Sequence, residues 1–382
     1  MNPSPGRPIV IAAGGTGGHL FPAEALAAEL LARGETVALM TDARSAAFES
    51  PAFARAQRFV LAGSGLAGHG LLGKLRGAFG LGFGTLTAHG LLRRLKAKAV
   101  VGFGGYPSVP PLLAALAMGG QRPVTVIHEQ NAVLGRANRL LARRVDALAL
   151  SFAETERVPA GARIHVVGNP VRPALAELAG QGYVGPAADG VLRLLVLGGS
   201  LGARIFADVV PAAVARLDGA LRQRLVVTQQ CRAEDLDRVR AAYDEAGVAA
   251  ELSRFFPDVA TRLAMAHLVI GRAGASTISE LACAGRPSLL VPLPGAIDNH
   301  QAGNARALAD GGGAWLMPQA GFTPEALAAR LAGLFTVPAP LTSAAEAAAR
   351  LGQPQAARTL AELVTSLTRA PTKQAPGLTE TP

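Results

Sequence analysis

Two copies of one local pattern limit what this chain can fold into. An apolar run, Ile9-Val10-Ile11-Ala12-Ala13, leads into Gly14-Gly15-Thr16-Gly17-Gly18-His19 and then into a helical pattern from Ala23 to Leu31. A second run, Leu194 to Leu197, leads into Gly198-Gly199-Ser200-Leu201-Gly202-Ala203-Arg204, whose turn begins 184 residues after the first. Glycines between a strand and a helix let backbone N–H groups approach a ligand, and a helix start favours anions. Two such turns so far apart predict two similar α/β halves facing one cleft. His19 sits where a ligand would lie, and imidazole can take a proton near neutral pH.

The rest of the chain supports that reading. Short apolar runs near 8–13, 36–41, 57–61, 98–103, 122–128, 145–150 and 164–167 alternate with helical patterns. A second set lies near 192–198, 223–228, 248–252, 267–271, 287–292 and 313–317. Such alternation predicts parallel sheets with helices on both faces. A chain of 382 residues can bury two cores. Gly168-Asn169-Pro170-Val171-Arg172-Pro173 and the irregular 181–190 mark the crossing, so the domains are expected at 1–171 and 172–345. Residues 343–369 read as helix interrupted at Gly352-Gln353-Pro354, and the helix at about 354–369 is expected to pack back on the first domain. The tail, 370–382, is expected to be disordered.

Composition excludes several classes. Cys231 and Cys283 form neither a disulfide framework nor a metal cluster, which fits a reducing compartment. The N-terminal segment lacks a signal-peptide core, and no apolar run is long enough to span a bilayer, so a cytoplasmic location is expected. Residues 1–171 carry 18 basic against 9 acidic side chains, and the remainder 19 against 18. No acid lies between Glu49 and Glu129, while nine basic residues do, among them Lys74, Arg76, Arg93 and Arg94. Leu71, Leu72, Phe79, Phe83 and Leu91 are interleaved with them. Basic plus apolar without acids suits an anionic membrane surface, although a solvated face over a core helix has the same composition. The basic, apolar stretch 70–98 has two aromatics, Phe79 and Phe83, and no RNA-binding motif, so no nucleic-acid partner is expected.

Other patterns are weaker. Gly63-x-Gly65-x-x-Gly68 fits a dinucleotide fingerprint but lacks the later acid, and Gly68-x4-Gly73-Lys74 has Leu75 where a P-loop needs a hydroxyl. Asp235 and Asp237 lie in a helical run with Arg232, Arg238 and Arg240, as on a solvated face. Gly198-x-Ser200-x-Gly202 fits a nucleophile elbow, with His300 and Asp258 or Asp298 as partners, so a serine hydrolase is an alternative. Against it, the first turn has no serine at the equivalent place. A phosphate cradle accounts for both turns.

The motifs together resemble the peptidoglycan N-acetylglucosaminyl transferases of the MurG family. In order they are Gly14 to His19, Gly102-Phe103-Gly104-Gly105-Tyr106-Pro107-Ser108, His128-Glu129-Gln130-Asn131, Gly168 to Arg172, Gly198 to Arg204, Arg272 to Glu280, and Asp298-Asn299-His300-Gln301. The resemblance runs from about residue 8 to about 310. It implies an α/β fold of the GT-B type, two Rossmann-like parallel-sheet domains facing a cleft. It also implies transfer of N-acetylglucosamine from UDP to the 4-hydroxyl of the muramyl sugar of lipid I, making lipid II at the cytoplasmic face of the inner membrane. Related GT-B enzymes use sterol, flavonoid or diacylglycerol acceptors, and the second-half motifs alone do not separate these.

The residues suit that chemistry. Gly198 to Gly202 and a helix start at Ala275-Ser276-Thr277 can offer N–H groups and hydroxyls to a diphosphate. Glu280 can accept ribose hydroxyls, although Thr277 to Glu280 also fits a capping box. The resemblance implies His300 and Gln301 at the donor sugar, Phe255 and Phe256 beside uracil, and Arg172 and Ser200 at the nucleotide. It groups Thr16, Gly17, Gly18 and Asn131 with the donor set. It places His19, Tyr106, Glu129 and Asn131 around the muramyl sugar and its diphosphate. An inverting displacement needs a base, for which His19 is the first candidate and Glu129 the alternative. Helix dipoles would meet the leaving-group charge, so no obligatory metal or cofactor is expected.

Overall fold

The computed structural model describes residues 6–15, 17–61, 71–199 and 202–369, with backbone only at 71–76 and 121. Thr16, Ser200, the side chains of Lys74 and Arg76, the glycines at 63–68 and the tail 370–382 lie outside the described residues.

Among the described residues the chain forms two parallel sheets. The first holds β1 (Ile9–Ala12), β2 (Val37–Thr41), β3 (Gln57–Val60), β4 (Ala99–Gly102), β5 (Val124–Glu129), β6 (Ala147–Leu150) and β7 (Ile164–Val166), in the order β3-β2-β1-β4-β5-β6-β7. Its helices are α1 (Gly17–Ala32), α2 (Pro51–Ala54), α3 (Leu71–Leu95), α4 (Gly105–Leu116) and α5 (Arg136–Leu141), and α6 (Pro173–Ala176) follows the crossing. The second sheet holds β8 (Leu192–Leu197), β9 (Leu225–Gln230), β10 (Ala249–Ser253), β11 (Leu268–Gly271), β12 (Ser288–Leu290) and β13 (Ala314–Leu316), in the order β10-β9-β8-β11-β12-β13. Its helices are α7 (Arg204–Ala215), α8 (Gly219–Arg224), α9 (Leu236–Glu245), α10 (Val259–Met265), α11 (Ala275–Ala284), α12 (His300–Ala309), α13 (Pro324–Thr336) and α14 (Ala339–Leu351). The chain ends in α15 (Ala356–Arg369).

Helices on both faces explain why β1, β4 and β11 are buried along their whole length with no polar side chain, rather than alternating. Ile9 and Ile11 point into one layer with Leu26 and Leu30 of α1. Val10, between them, points into the other layer with Leu92 of α3 and Leu112 of α4. Each of these side chains is fully buried, which stabilises the fold by roughly 1.5–3 kcal/mol per side chain. The second sheet repeats the arrangement, with Leu194 and Val196 against Phe206 of α7 and Leu331 of α13, and Leu195 against Ile278 and Leu281 of α11.

The last helix returns to the first domain. Leu360, Ala361 and Val364 of α15 are buried in the same cluster as Ile9 and Ile11. The chain therefore crosses between domains twice, and the two crossings touch. Gly168 has φ +82°, and a Cβ there would lie 2.9 Å from Ala356 Cβ at the start of α15. Only glycine allows that approach.

In both sheets the strand order reverses beside the first strand, between β1 and β4 and between β8 and β11. Ligands of open parallel sheets bind beyond the strand C-termini at such a reversal. The glycine turns after β1, β4 and β8, and the 272–274 turn between β11 and α11, all lie there.

Candidate active site

The two reversals face each other. The α1 start carries Gly17, Gly18 and His19, and the α11 start carries Ala275, Ser276 and Thr277. The Ser276 hydroxyl donates to the Gly18 carbonyl across the cleft at 3.5 Å. That carbonyl is available because Pro22, four residues on, has no N–H to offer it. The residue before α11 is Gly274, in extended conformation and with no side-chain cap, so no side chain occupies the first N–H groups of the helix. The capping box considered for Thr277 and Glu280 does not form, because the cap lies at Gly274. Two positive helix ends thus converge from different domains, an arrangement suited to a diphosphate.

His19 is half-buried against the turn after β4. Cβ atoms built at Gly104 and Gly105 would lie 3.7 Å from its Cε1 and 3.4 Å from its Nε2. Its Nδ1 lies 2.9 Å from Gln130 Oε1. The Gln130 Nε2 donates to His128 Nδ1 and to the His128 carbonyl, both at 2.9 Å. His128 Nε2 lies 2.9 Å from the Gly168 carbonyl. His128 is fully buried, and burial pushes its pKa down to about 4.

Glu129, the alternative base, is occupied. Oε1 accepts the Asn131 N–H and Nδ2, both at 3.0 Å, and Oε2 accepts the Gly135 N–H and Asn138 Nδ2, both at 2.8 Å. With the residue 2% exposed, the carboxylate organises the β5–α5 loop rather than facing the cleft. The Tyr106 hydroxyl donates to the Gly77 carbonyl of α3 at 3.1 Å, and partial burial raises its pKa. It joins the start of α4 to α3.

In the second domain, Arg172 Nη2 donates to Glu280 Oε1 at 3.2 Å, and its guanidinium stacks 4.7 Å from the Phe21 ring centre. Burial raises the Glu280 carboxyl, and Arg172 opposes that shift. The nucleotide and ribose candidates are therefore each other's partners here. Phe256 is buried with the Arg262 guanidinium 4.1 Å from its ring centre, whereas Phe255 is exposed. A buried, covered Phe256 ring leaves its backbone as what it can offer a base. Gln230 braces the turn after β8, accepting from Gly198 N at 3.1 Å and donating to Gly199 O at 3.0 Å.

His300 Nδ1 donates to the Ile297 carbonyl at 2.7 Å, and Gln301 Oε1 accepts the Leu293 N–H at 2.9 Å. Neighbouring Asp298 points across the cleft to Arg157 at 2.8 Å, Arg139 at 2.5 Å and Arg136 at 3.5 Å. Neither Asp298 nor Asp258, which pairs with Arg262 at 2.8 Å, orients His300 as a hydrolase triad requires.

Gln130, Asn304 and the arginine partners of Asp298 were not singled out from the sequence. Asn304 bridges the domains, with Oδ1 accepting Ala132 N–H at 2.8 Å and Nδ2 donating to Asn131 Oδ1 at 3.1 Å. Its one sequence signal is its position four residues after His300, one helical turn on the same face.

Known proteins agree with this architecture. Residues 9–150 match the glycosyltransferase family 28 N-terminal domain, and residues 193–360 match the family's C-terminal domain. The chain is 60% identical over 358 residues to the UDP-N-acetylglucosamine–N-acetylmuramyl-(pentapeptide) pyrophosphoryl-undecaprenol N-acetylglucosamine transferase of Granulibacter bethesdensis, covering 94% of this chain and 93% of that one. It is 55% identical over 358 residues to the protein of the same name from Rhodospirillum rubrum, covering 94% and 91%. The crystal structure of Acinetobacter baumannii MurG superposes with a TM-score of 0.75 at 31% identity, covering 94% of this chain and 99% of that one. A UDP-N-acetylglucosamine 2-epimerase superposes with a TM-score of 0.67 at 15% identity, which speaks to the fold alone. With both family 28 domains present in order and identity of 60% over nearly the whole chain, this glycosyltransferase belongs to the MurG family.

Proposed function

We propose that this enzyme moves N-acetylglucosamine from UDP to the 4-hydroxyl of the muramyl sugar of lipid I, with inversion at the anomeric carbon. The observation that carries the reading is the convergence of the α1 and α11 starts, with His19 in the first turn of α1. The acceptor hydroxyl gives its proton to His19 Nε2 while its oxygen attacks the anomeric carbon. The bond from that carbon to the UDP oxygen breaks, and UDP leaves with the electron pair. N–H groups at the α11 start meet the charge that develops on the diphosphate. On this reading Glu280 binds ribose once Arg172 turns to the nucleotide, and His300 and Gln301 read the sugar hydroxyls. Thr16, Gly17, Gly18, Ser200 and the Phe256 backbone complete the donor set. Tyr106 and Asn131 line the acceptor side, and Glu129 shapes the loop that carries Asn131.

The acceptor's polyprenyl tail lies in a bilayer, so the enzyme works at its cytoplasmic surface as a peripheral protein. Among the described residues no helix is long and apolar enough to cross a membrane. Phe79, Phe83 and Leu86 of α3 are 77%, 62% and 74% exposed and recur at i, i+4 and i+7. Such a stripe enters a lipid interface, and exposed Arg93 and Arg94 on the same helix add attraction to anionic headgroups, with Lys74 and Arg76 nearer its start.

The substrate class is tested by UDP release from UDP-N-acetylglucosamine with a set of acceptors. Release that depends on a muramyl pyrophosphoryl-lipid analogue, and not on sterol or diacylglycerol, supports the reading. Release with the latter acceptors only overturns it.

A further inference from the structure

The contacts among His19, Gln130 and His128 run in a single direction. The Gly168 carbonyl can only accept, so His128 Nε2 carries the proton of that ring. The neutral ring's Nδ1 is then an acceptor, and Gln130 must present its NH2 group to it. A flipped amide would set Gln130 Oε1 against the His128 carbonyl and the His128 Nδ1 lone pair, three acceptors with no proton among them. The amide orientation is therefore dictated by a backbone carbonyl. Its Oε1 faces His19 Nδ1, which must donate. Nε2 of His19 is left with the lone pair and has no protein partner among the described residues.

We propose that Gln130 and His128 are positioning residues that hold His19 in the Nδ1–H tautomer, so that Nε2 is the ring atom open to the acceptor hydroxyl. The inference rests on the reading of His19 as the base and adds what prepares it. A histidine free to choose would spread over both tautomers, and only one can take a proton at Nε2. Burial of His128 keeps that ring neutral, because a second proton on Nδ1 would oppose the Gln130 NH2 group. The series of hydrogen bonds ends on the Gly168 carbonyl, in the crossing between the domains. The base is thus oriented from that crossing, 111 residues from His19 at Gln130 and further along the sequence at Gly168.

The test is nitrogen NMR of the full chain with labelled histidine, near pH 8, assigning His19 by its loss in His19→Asn. The expected wild-type signature is a protonated Nδ1 and a bare Nε2. In Gln130→Met, which keeps the side-chain length and removes both polar atoms, the signature shifts toward a tautomer mixture. In the same variant kcat falls about 10- to 100-fold, as expected when a base loses its orienting partner, while KM for UDP-N-acetylglucosamine stays within about twofold. A wild-type His19 protonated on Nε2 overturns the proposal and needs no variant to fold. So does an unchanged signature in Gln130→Met. Full activity in His19→Asn sinks the base reading instead, and the tautomer measurement still decides whether the relay exists.

Discussion

Asn304 of α12 holds Asn131 of the β5–α5 loop across the domain boundary, its Nδ2 donating to Asn131 Oδ1 at 3.1 Å. The same amide accepts the Ala132 N–H and donates to the Ala273 carbonyl, and the residue is fully buried. One side chain therefore ties together the acceptor loop, the turn after β11 and the helix of the donor-sugar candidates.

Asn304→Ala should destabilise the enzyme by roughly 2–4 kcal/mol, because it leaves a buried N–H and carbonyl without partners. Urea unfolding measures this. The donor KM should rise as well, since the domains lose a shared anchor. A loss below about 0.5 kcal/mol would deny the pin.

Gly105→Ala should slow the reaction with little effect on donor binding. Its φ is +67°, and the new methyl would stand 3.4 Å from His19 Nε2, the atom assigned to proton transfer. A drop in kcat of about 100-fold is expected from misplacing the base. Steady-state kinetics with calorimetric donor binding separates the two effects, and equal loss of both would contradict the assignment.

Stability should fall as pH drops from about 6.5 to about 4, in part through His128. The folded ring takes a proton only near 4, whereas the unfolded ring takes it near 6.5. The unfolded chain binds more protons in that window, so acid favours unfolding, by up to roughly 3 kcal/mol from this group. Chemical unfolding across the window, in wild type and His128→Gln, should show a slope shallower by as much as one proton in the variant. Identical slopes would place His128's ordinary titration in the folded state.

Vesicle binding should separate the two parts of the α3 surface. Arg93→Gln with Arg94→Gln should weaken binding to anionic vesicles by about 1 kcal/mol per charge and flatten the salt dependence. Phe79→Ser with Phe83→Ser should weaken binding at every salt concentration. Binding unchanged in both double variants would remove α3 from the membrane face.

Most of the fold is legible in the sequence because parallel strands buried on both faces are unbroken apolar runs. Val100 and Val101 belong to β4, and Leu194 to Val196 belong to β8, for that reason alone. The glycine turns mark the reversals of strand order because close backbone approach demands that residue. The site is less legible because its contacts cross long stretches of chain. His19 meets Gln130 over 111 residues, Arg139 meets Asp298 over 159, and Ala132 meets Asn304 over 172. A carboxylate beside a cleft motif made Glu129 a natural base candidate. The donors that occupy it, Gly135 at the end of the loop and Asn138 in α5, are brought back to it by a loop with no periodicity to read.

The most direct test of the central claim is acceptor-dependent UDP release by wild type and His19→Ala, with donor binding measured on both. The account predicts release that requires the muramyl lipid acceptor and falls at least about 100-fold in His19→Ala while donor binding is kept. Release that survives the substitution undiminished would contradict His19 as the base that takes the acceptor's proton.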